Sequence, residues 1–287
     1  MKTTTKIKNT KSVVSITVNN RRKNVIEEYK QYKIAQGILL NKVYLQDCIE
    51  GMRLLPSSII KLITADPPYN MKLKGQYWDK MSPEEFLEFN RAWLLEAYRV
   101  LEEDGAIICF GLHHNIFIVA QVMREIGFVI KTQYVWEKDY GRNSIYVPNH
   151  RAEFMILATK NKKSKLTYNV DYAKSINNGK NISNIIRTKR TPAIEKRHGA
   201  FPCQKPIELM EKLIKLHSNE GDIILSPFSG SGTDCVASIL ANRNFIAYET
   251  DRDNLLLTNR RLQDVRCDND YAQKFLTINQ NQVCSTI

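Results

Sequence analysis

The 287-residue chain contains no run approaching the roughly eighteen consecutive apolar residues that a bilayer-spanning helix needs, so no such span is expected. Its first twenty residues, MKTTTKIKNTKSVVSITVNN, are basic but lack an apolar stretch of signal-peptide length, and a cytoplasmic location is expected. Six cysteines form no CxxC pair, and several sit inside apolar stretches, as Cys109 does. They read as buried thiols in a reducing compartment. The five histidines show no metal-ligand spacing, and no metal is expected. The one glycine-rich turn lacks the lysine of a phosphate-binding loop and is not a full GxGxxG, which argues against phosphate or dinucleotide binding. What remains is ordinary for a globular protein, 43% hydrophobic and 25% charged, and long enough for one well-filled core with a small appended region.

Charge is present in excess and unevenly spread. The formal net charge is +12; residues 1–40 carry +7, residues 160–197 carry +9, and the rest of the chain is mildly acidic. Two basic segments on an acidic body suit a polyanionic partner contacted at particular places, although a solvated Lys/Asn-rich loop would give the same composition.

Short strands and helices alternate along the chain. Residues 22–35 could form a polar helix. Strands are expected at 41–46, 59–65, 106–110, 128–136, 154–159, 222–225 and 244–248. Helices are expected at 48–55, 116–126, 206–217, 233–241 and 253–264. A further helix starts at Ser82, with Pro83 in its first turn and Glu85 completing a capping box. It carries Phe86, Phe89, Trp93, Leu94, Ala97 and Val100 on one side and should stop near Asp104-Gly105. This traffic predicts an α/β fold, a doubly wound and mostly parallel sheet, interrupted by a basic and weakly periodic insert at 160–200. The expected divisions are a basic extension (1–37), a catalytic half (38–159), the insert (160–200), a cofactor half of the same domain (201–264) and a tail (265–287).

In such a sheet ligands bind at the carboxyl ends of strands, which singles out three junctions. The first reads Asp66-Pro67-Pro68-Tyr69-Asn70. Two prolines remove two N–H donors and leave carbonyls free to accept. Beside them stand a carboxylate and an aromatic face, a set suited to a planar ring bearing an amino group. The second reads Ser226-Pro227-Phe228-Ser229-Gly230-Ser231-Gly232-Thr233, where glycines let the backbone approach a ligand. The third ends in Glu249, at the strand tip where a carboxylate meets ribose hydroxyls in nucleoside-binding folds.

Together these elements resemble the amino-methyltransferases of DNA in their permuted arrangement, in which the catalytic loop precedes the cofactor loop. Residues 66–69 match that family's DPPY motif, residues 226–233 its DPFxGSGT loop, and Glu249 the acid after the next strand. Gln204-Lys205-Pro206 resembles its QKP segment, and Asp47-Cys48 an element whose acid lies near the cofactor adenine. The resemblance covers residues 40–263. It implies the Rossmann-like fold of enzymes that use S-adenosyl-L-methionine, and methyl transfer to N6 of adenine in a specific double-stranded DNA sequence. It implies catalysis by Asp66, Pro67, Pro68 and Tyr69 on a flipped-out base. Cofactor contacts would come from Asp47, Cys48, Asp66, Lys205, Pro206, Ser226, Phe228, Gly230, Ser231, Gly232, Thr233 and Glu249. The insert would be the target-recognition region. Arg187, Lys189, Arg190, Lys196 and Arg197 are the candidate phosphate contacts as a group, and Arg142 with Asn143 and His150 a candidate contact near the target.

The chain also departs from the family pattern. Ser226 stands where an aspartate is usual, which removes a charge beside the cofactor. Phe201-Pro202-Cys203 replaces His-Pro-Thr, and Asn254 and Leu255 stand near a frequent tyrosine. These are read as drift at tolerant positions. Trp136 with Lys138 resembles the family's WxK or is a core tryptophan at a strand end, and Tyr77 and Trp78 could form a lid. Alternatives are an N4-cytosine DNA methyltransferase, an RNA amino-methyltransferase (whose usual motif order is the opposite one) and an inactive DNA-binding subunit. A homodimer and a cognate restriction endonuclease are possible partners.

Overall fold

The computed structural model describes residues 38–71, 80–142 and 145–267. The expected helix at 22–35, the basic extension, Tyr77, Trp78, Asn143 and the residues after 267 lie outside these. The described residues from Leu40 onward cluster as one unit. Its strands are β1 (Lys42–Leu45), β2 (Ile60–Ala65), β3 (Leu101–Gly111), β4 (Val129–Arg142), β5 (His150–Thr159), β6 (Ile185–Thr188), β7 (Ile223–Ser226) and β8 (Asn244–Glu249). Its helices are α1 (Cys48–Arg53), α2 (Pro83–Val100), α3 (Ile116–Ile126), α4 (Val170–Ser175), α5 (Ile207–His217), α6 (Thr233–Leu240) and α7 (Arg252–Cys267).

The strands form one sheet in the order β1-β8-β7-β2-β3-β5-β4-β6, in which only β5 runs antiparallel to its neighbours. The sheet is buried on both faces, as parallel strands with crossover helices must be. Leu62, Ile108 and Phe245 share one core with Leu213 of α5 and Val236 of α6. The alternate residues Ile63, Ile107 and Ile246 are equally buried. The helices pack in two sets: α1, α2 and α3 in one, and α4 to α7 in the other. The α2 start is as expected, with Glu85 N donating to Ser82 Oγ and Ser82 N donating back to Glu85.

Two expectations are corrected. The α2 helix ends at Val100, not near Gly105, because Leu101 turns to extended backbone and begins β3. The insert is also more regular than its weak periodicity suggested. It holds α4, a 3-10 turn at Ala193–Lys196, and β6, which pairs in parallel with β4 and closes the sheet edge. A four-residue strand is too short to show a period, so only pairing reveals it. Trp136 is a core residue whose indole N–H donates to Thr188 Oγ1 of β6 at 2.8 Å.

The chain winds outward from β2 to β3 in one direction and from β7 to β8 in the other, so the switch point lies between β2 and β7. The loops that follow β1, β2, β7 and β8 all emerge at the same sheet edge, which brings every motif of the sequence together there.

Candidate active site

A cavity of about 360 Å³ opens at this edge, within the usual size range of a small-ligand site. Its wall contains Asp47, Cys48, Asp66, Pro67, Pro68, Tyr69, Lys205, Phe228, Gly230, Ser231, Thr233 and Glu249 from the expected set. Pro206, Ser226 and Gly232 do not line it. Pro206 caps α5, Ser226 is buried beneath the loop, and Gly232 opens α6.

The loop after β7 is held from both sides. Gly230 N donates to Glu249 Oε2 at 2.7 Å, while Thr250 N and Asp251 N donate to Glu249 Oε1. Burial raises the Glu249 carboxyl above the ordinary glutamate range, against these donors. Gly232 adopts φ +72°, and a Cβ there would stand 2.2 Å from Thr258 Cγ2. Gly232→Ala therefore adds left-handed strain to a clash, about 2–4 kcal/mol together. Thermal melting should show the loss, and a midpoint within a degree of wild type would refute this account. Phe228 packs its ring edge-on to Trp93 of α2, centroids 5.3 Å apart, and presents the rest to the cavity.

The loop after β2 is pinned by Asn70 at its own end and by Asn115, which the sequence did not single out. Asn70, at φ +52°, clamps Met81 through two hydrogen bonds of 2.8 and 2.9 Å, and Asn115 Nδ2 donates to the Tyr69 carbonyl. Among the described residues none donates to the Pro67 carbonyl.

Asp66 is already engaged. The Tyr69 hydroxyl donates to Oδ1, and Lys205 Nζ lies 2.5 Å from Oδ2. Both donors have a second acceptor in Glu153 of β5, whose Oε2 lies 3.4 Å from each. Glu153 Oε1 in turn accepts from Lys138 Nζ at 3.0 Å. Burial alone would push Glu153 up, but the ammoniums of Lys205 and Lys138 outweigh it and hold the carboxyl low. For Asp66 burial prevails over Lys205, and its pKa is raised. Lys205 is buried too, which disfavours its charge, yet Asp66 and Glu153 hold it protonated well above its usual range. Lys205 thus reaches the cavity wall, with its ammonium on the Asp66 carboxylate.

The insert is tied to the cofactor loop through Glu195, a second residue that sequence reading passed over. Its Oε2 accepts from Ile207 N at 3.0 Å and lies 3.9 Å from Arg261 Nη2; Arg261 also donates to Thr233 Oγ1 at 3.1 Å. Phe201, Cys203 and Asn254, three of the departures from the family pattern, line the cavity.

The basic candidates fall into two groups. Arg187, Lys189 and Arg190 lie at the carboxyl end of β6, on the same edge as Asp66; Arg187 pairs with Glu137 at 2.9 Å, and the Arg190 guanidinium stands 4.9 Å over the Tyr140 ring. Lys196 is exposed, and Arg197 pairs with Asp264 on α7, away from the first group. Arg142 ends β4 with its backbone opposite His150, and its side chain lies outside the described residues. His150 stacks on His113 at 4.4 Å.

The cavity fits an adenosine bearing a sulfonium. A glycine turn lets backbone approach closely, Glu249 stands at a strand tip of the kind where nucleoside-binding folds place a carboxylate for ribose hydroxyls, and the described lining carries five carboxylates against one ammonium, Lys205.

Comparison with known proteins agrees. A family model described as DNA methylase matches residues 60–260. The Type II methyltransferase M2.MboI of Moraxella bovis is 33% identical over 250 residues, covering 81% of this chain and 92% of its own. M2.DpnII of Streptococcus pneumoniae is 32% identical over 259 residues, covering 81% and 96%. Among solved structures, the M1.HpyAVI–SAM complex is similar at 28% identity and a TM-score of 0.61, covering 77% of this chain and 98% of that one. The cytosine-N4-specific PvuII DNA methyltransferase shares the fold, with a TM-score of 0.68 at 15% identity over 83% and 91% of the two chains.

Proposed function

Because the chain belongs to the DNA methylase family and is an S-adenosylmethionine-dependent, site-specific methyltransferase of exocyclic amino groups in double-stranded DNA, we propose that its target is N6 of adenine. The observation that carries this reading is the placing of Asp66, Pro67 and Tyr69, one DPPY loop, in the wall of the cofactor cavity at the switch point. In the resembling family an aspartate at the first motif position accompanies adenine, whereas cytosine enzymes usually carry serine.

The cofactor, when bound, supplies an electrophilic methyl group on its sulfonium. The chain supplies alignment and charge. Asp66 and the Pro67 carbonyl accept the two amino hydrogens of a flipped-out base, and Tyr69 offers its ring face. Each Asp66 oxygen already accepts one hydrogen bond, from Tyr69 or Lys205, and keeps a second lone pair for such a hydrogen. Glu153 stands 3.4 Å away to receive either donor. A strong base is not required, since the amino nitrogen loses its proton readily once it has become cationic. The same holding of the amino nitrogen aims its lone pair at the methyl group.

Phosphate contacts in this reading come from Arg187, Lys189 and Arg190 on the catalytic edge, with Arg142 beside them and Lys196 and Arg197 further along the insert. Residues 160–200 recognise the target. An insert of about forty residues is short for reading several base pairs, which favours a homodimer on DNA. Light scattering that finds a monomer on cognate DNA would exclude it. A restriction endonuclease of the same specificity is the proposed partner, supported by the Type II names of the relatives. A cytoplasmic location belongs to the same reading; among the described residues no helix is long and apolar enough to cross a membrane.

The test is methyl transfer from labelled S-adenosylmethionine to unmethylated genomic DNA, followed by nucleoside analysis. N6-methyladenine is expected. N4-methylcytosine would retain the chemistry and change the base.

A further inference from the structure

We propose that Asp234 is the residue that binds the α-ammonium of the cofactor's methionine end, carrying the charge that Ser226 lacks. The inference rests on the cofactor and is independent of which base is methylated.

Asp234 sits in the first turn of α6, is 7% exposed, and lines the cavity. Its Oδ2 accepts from Thr64 Oγ1 at 2.8 Å and from Ser226 Oγ at 3.0 Å. Those hydroxyls come from the carboxyl ends of β2 and β7, each one residue beyond the paired Ile63 and Leu225, on either side of the switch point. The carboxylate therefore forms the floor of the crevice between the catalytic loop and the glycine loop.

Its surroundings separate it from the other four acids of the cavity wall. Asp66 has Lys205, Glu249 has three backbone amides, Asp47 caps α1, and Asp251 accepts from Asp253 N and Asn254 N at the start of α7. Asp234 has two neutral hydroxyls and, among the described residues, no ion pair within 4 Å; the Lys205 ammonium, held on Asp66, acts on it only from further away. A buried carboxylate without a cation costs free energy, and tying β2 to β7 needs only an acceptor, which an asparagine would supply without the charge. The retained charge is explained by a cation that arrives with the ligand. Burial, with Asp66 nearby, raises the Asp234 carboxyl to about 6, so a bound cation would also hold it ionised.

S-adenosylmethionine carries two cationic groups. Its methyl-bearing sulfonium must face Asp66 for transfer, and its ribose end is assigned to Glu249. The remaining ammonium then falls to the crevice floor, where Asp234 is the cavity acid with neither a salt bridge nor backbone amide donors. The acid that relatives place at the end of the cofactor strand is thus moved to the first turn of the helix after it, with Ser226 Oγ holding it in place.

The test is binding, by titration calorimetry, of S-adenosylhomocysteine, which has the ammonium, and of 5′-methylthioadenosine, which lacks it. Asp234→Asn should weaken S-adenosylhomocysteine at least 30-fold and leave 5′-methylthioadenosine within about threefold of wild type. The double variant Ser226→Asp/Asp234→Ser, which moves the charge to the strand end, should recover at least tenfold of the lost affinity. Undiminished S-adenosylhomocysteine binding by Asp234→Asn overturns the proposal, as does equal weakening of both ligands or no recovery in the double variant. A wild-type protein that binds S-adenosylhomocysteine but methylates cytosine would overturn the adenine reading and leave this one standing.

Discussion

Asp66→Ala should lower the rate of methyl transfer to DNA by about a thousandfold, with the protein still folded and still binding S-adenosylhomocysteine. The size follows from removing a hydrogen-bond acceptor that aligns the reacting nitrogen and stabilises its developing charge, a change worth about 10²–10³ in rate at comparable sites. Folding survives because Lys205 keeps Glu153 as a counter-ion at 3.4 Å, and because the carboxylate removed is itself disfavoured by burial. Single-turnover kinetics with saturating cofactor isolates the chemical step. A rate within tenfold of wild type would remove Asp66 from the reaction. In the wild-type enzyme the acid limb of the rate profile reports Asp66. Its raised pKa places that limb at higher pH than an ordinary aspartate would give, with activity lost as pH falls through it.

Lys205→Met should damage stability as well as catalysis. The Lys205 side chain is 6% exposed and its ammonium is shared by Asp66 and Glu153, so its loss leaves two largely buried carboxylates facing each other, with Lys138 bound to only one of them. Breaking a buried pair from one side costs about 3–5 kcal/mol. At roughly 2–4 °C per kcal/mol for a chain of this size, the melting midpoint should fall by about 6–20 °C. The deficit should shrink in acid. With Lys205 gone the folded-state pKa of Asp66 rises further above its unfolded value, so the folded variant binds a proton preferentially and gains stability as pH falls between the two. Melting curves at pH 8 and pH 5 check both claims. An equal deficit at the two pH values would show that the loss comes from packing rather than from charge.

The two variants differ because a carboxylate and an ammonium at the same contact are not equivalent. Asp66 shares its partner with Glu153, while Lys205 holds both acids. That asymmetry is invisible in the motifs, where Asp66 belongs to one and Lys205 to another, 139 residues later in the chain.

The sequence alone determined the order of the elements outside the insert, the mostly parallel character of the sheet and the three loops at its edge. These are local properties. An apolar run ending in Asp66-Pro67-Pro68, a serine and a glutamate three residues apart at the start of α2, and glycines opening α6 state their structure within a few residues of themselves. The tertiary structure decided which side chains complete those loops. Glu153 is one acid in an antiparallel strand, and only the pairing of β5 with β3 and β4 carries it to Tyr69 and Lys205. Residues 185–188 become a strand because β4 offers an edge to pair with. Thr64 and Asp234 are 170 residues apart, and only the adjacency of β2 and β7 joins them with Ser226. The physical reason is common to all three. Hydrophobic period and turn chemistry are written in neighbouring residues, whereas the partner of a buried charge is chosen by strand order, which no local pattern encodes.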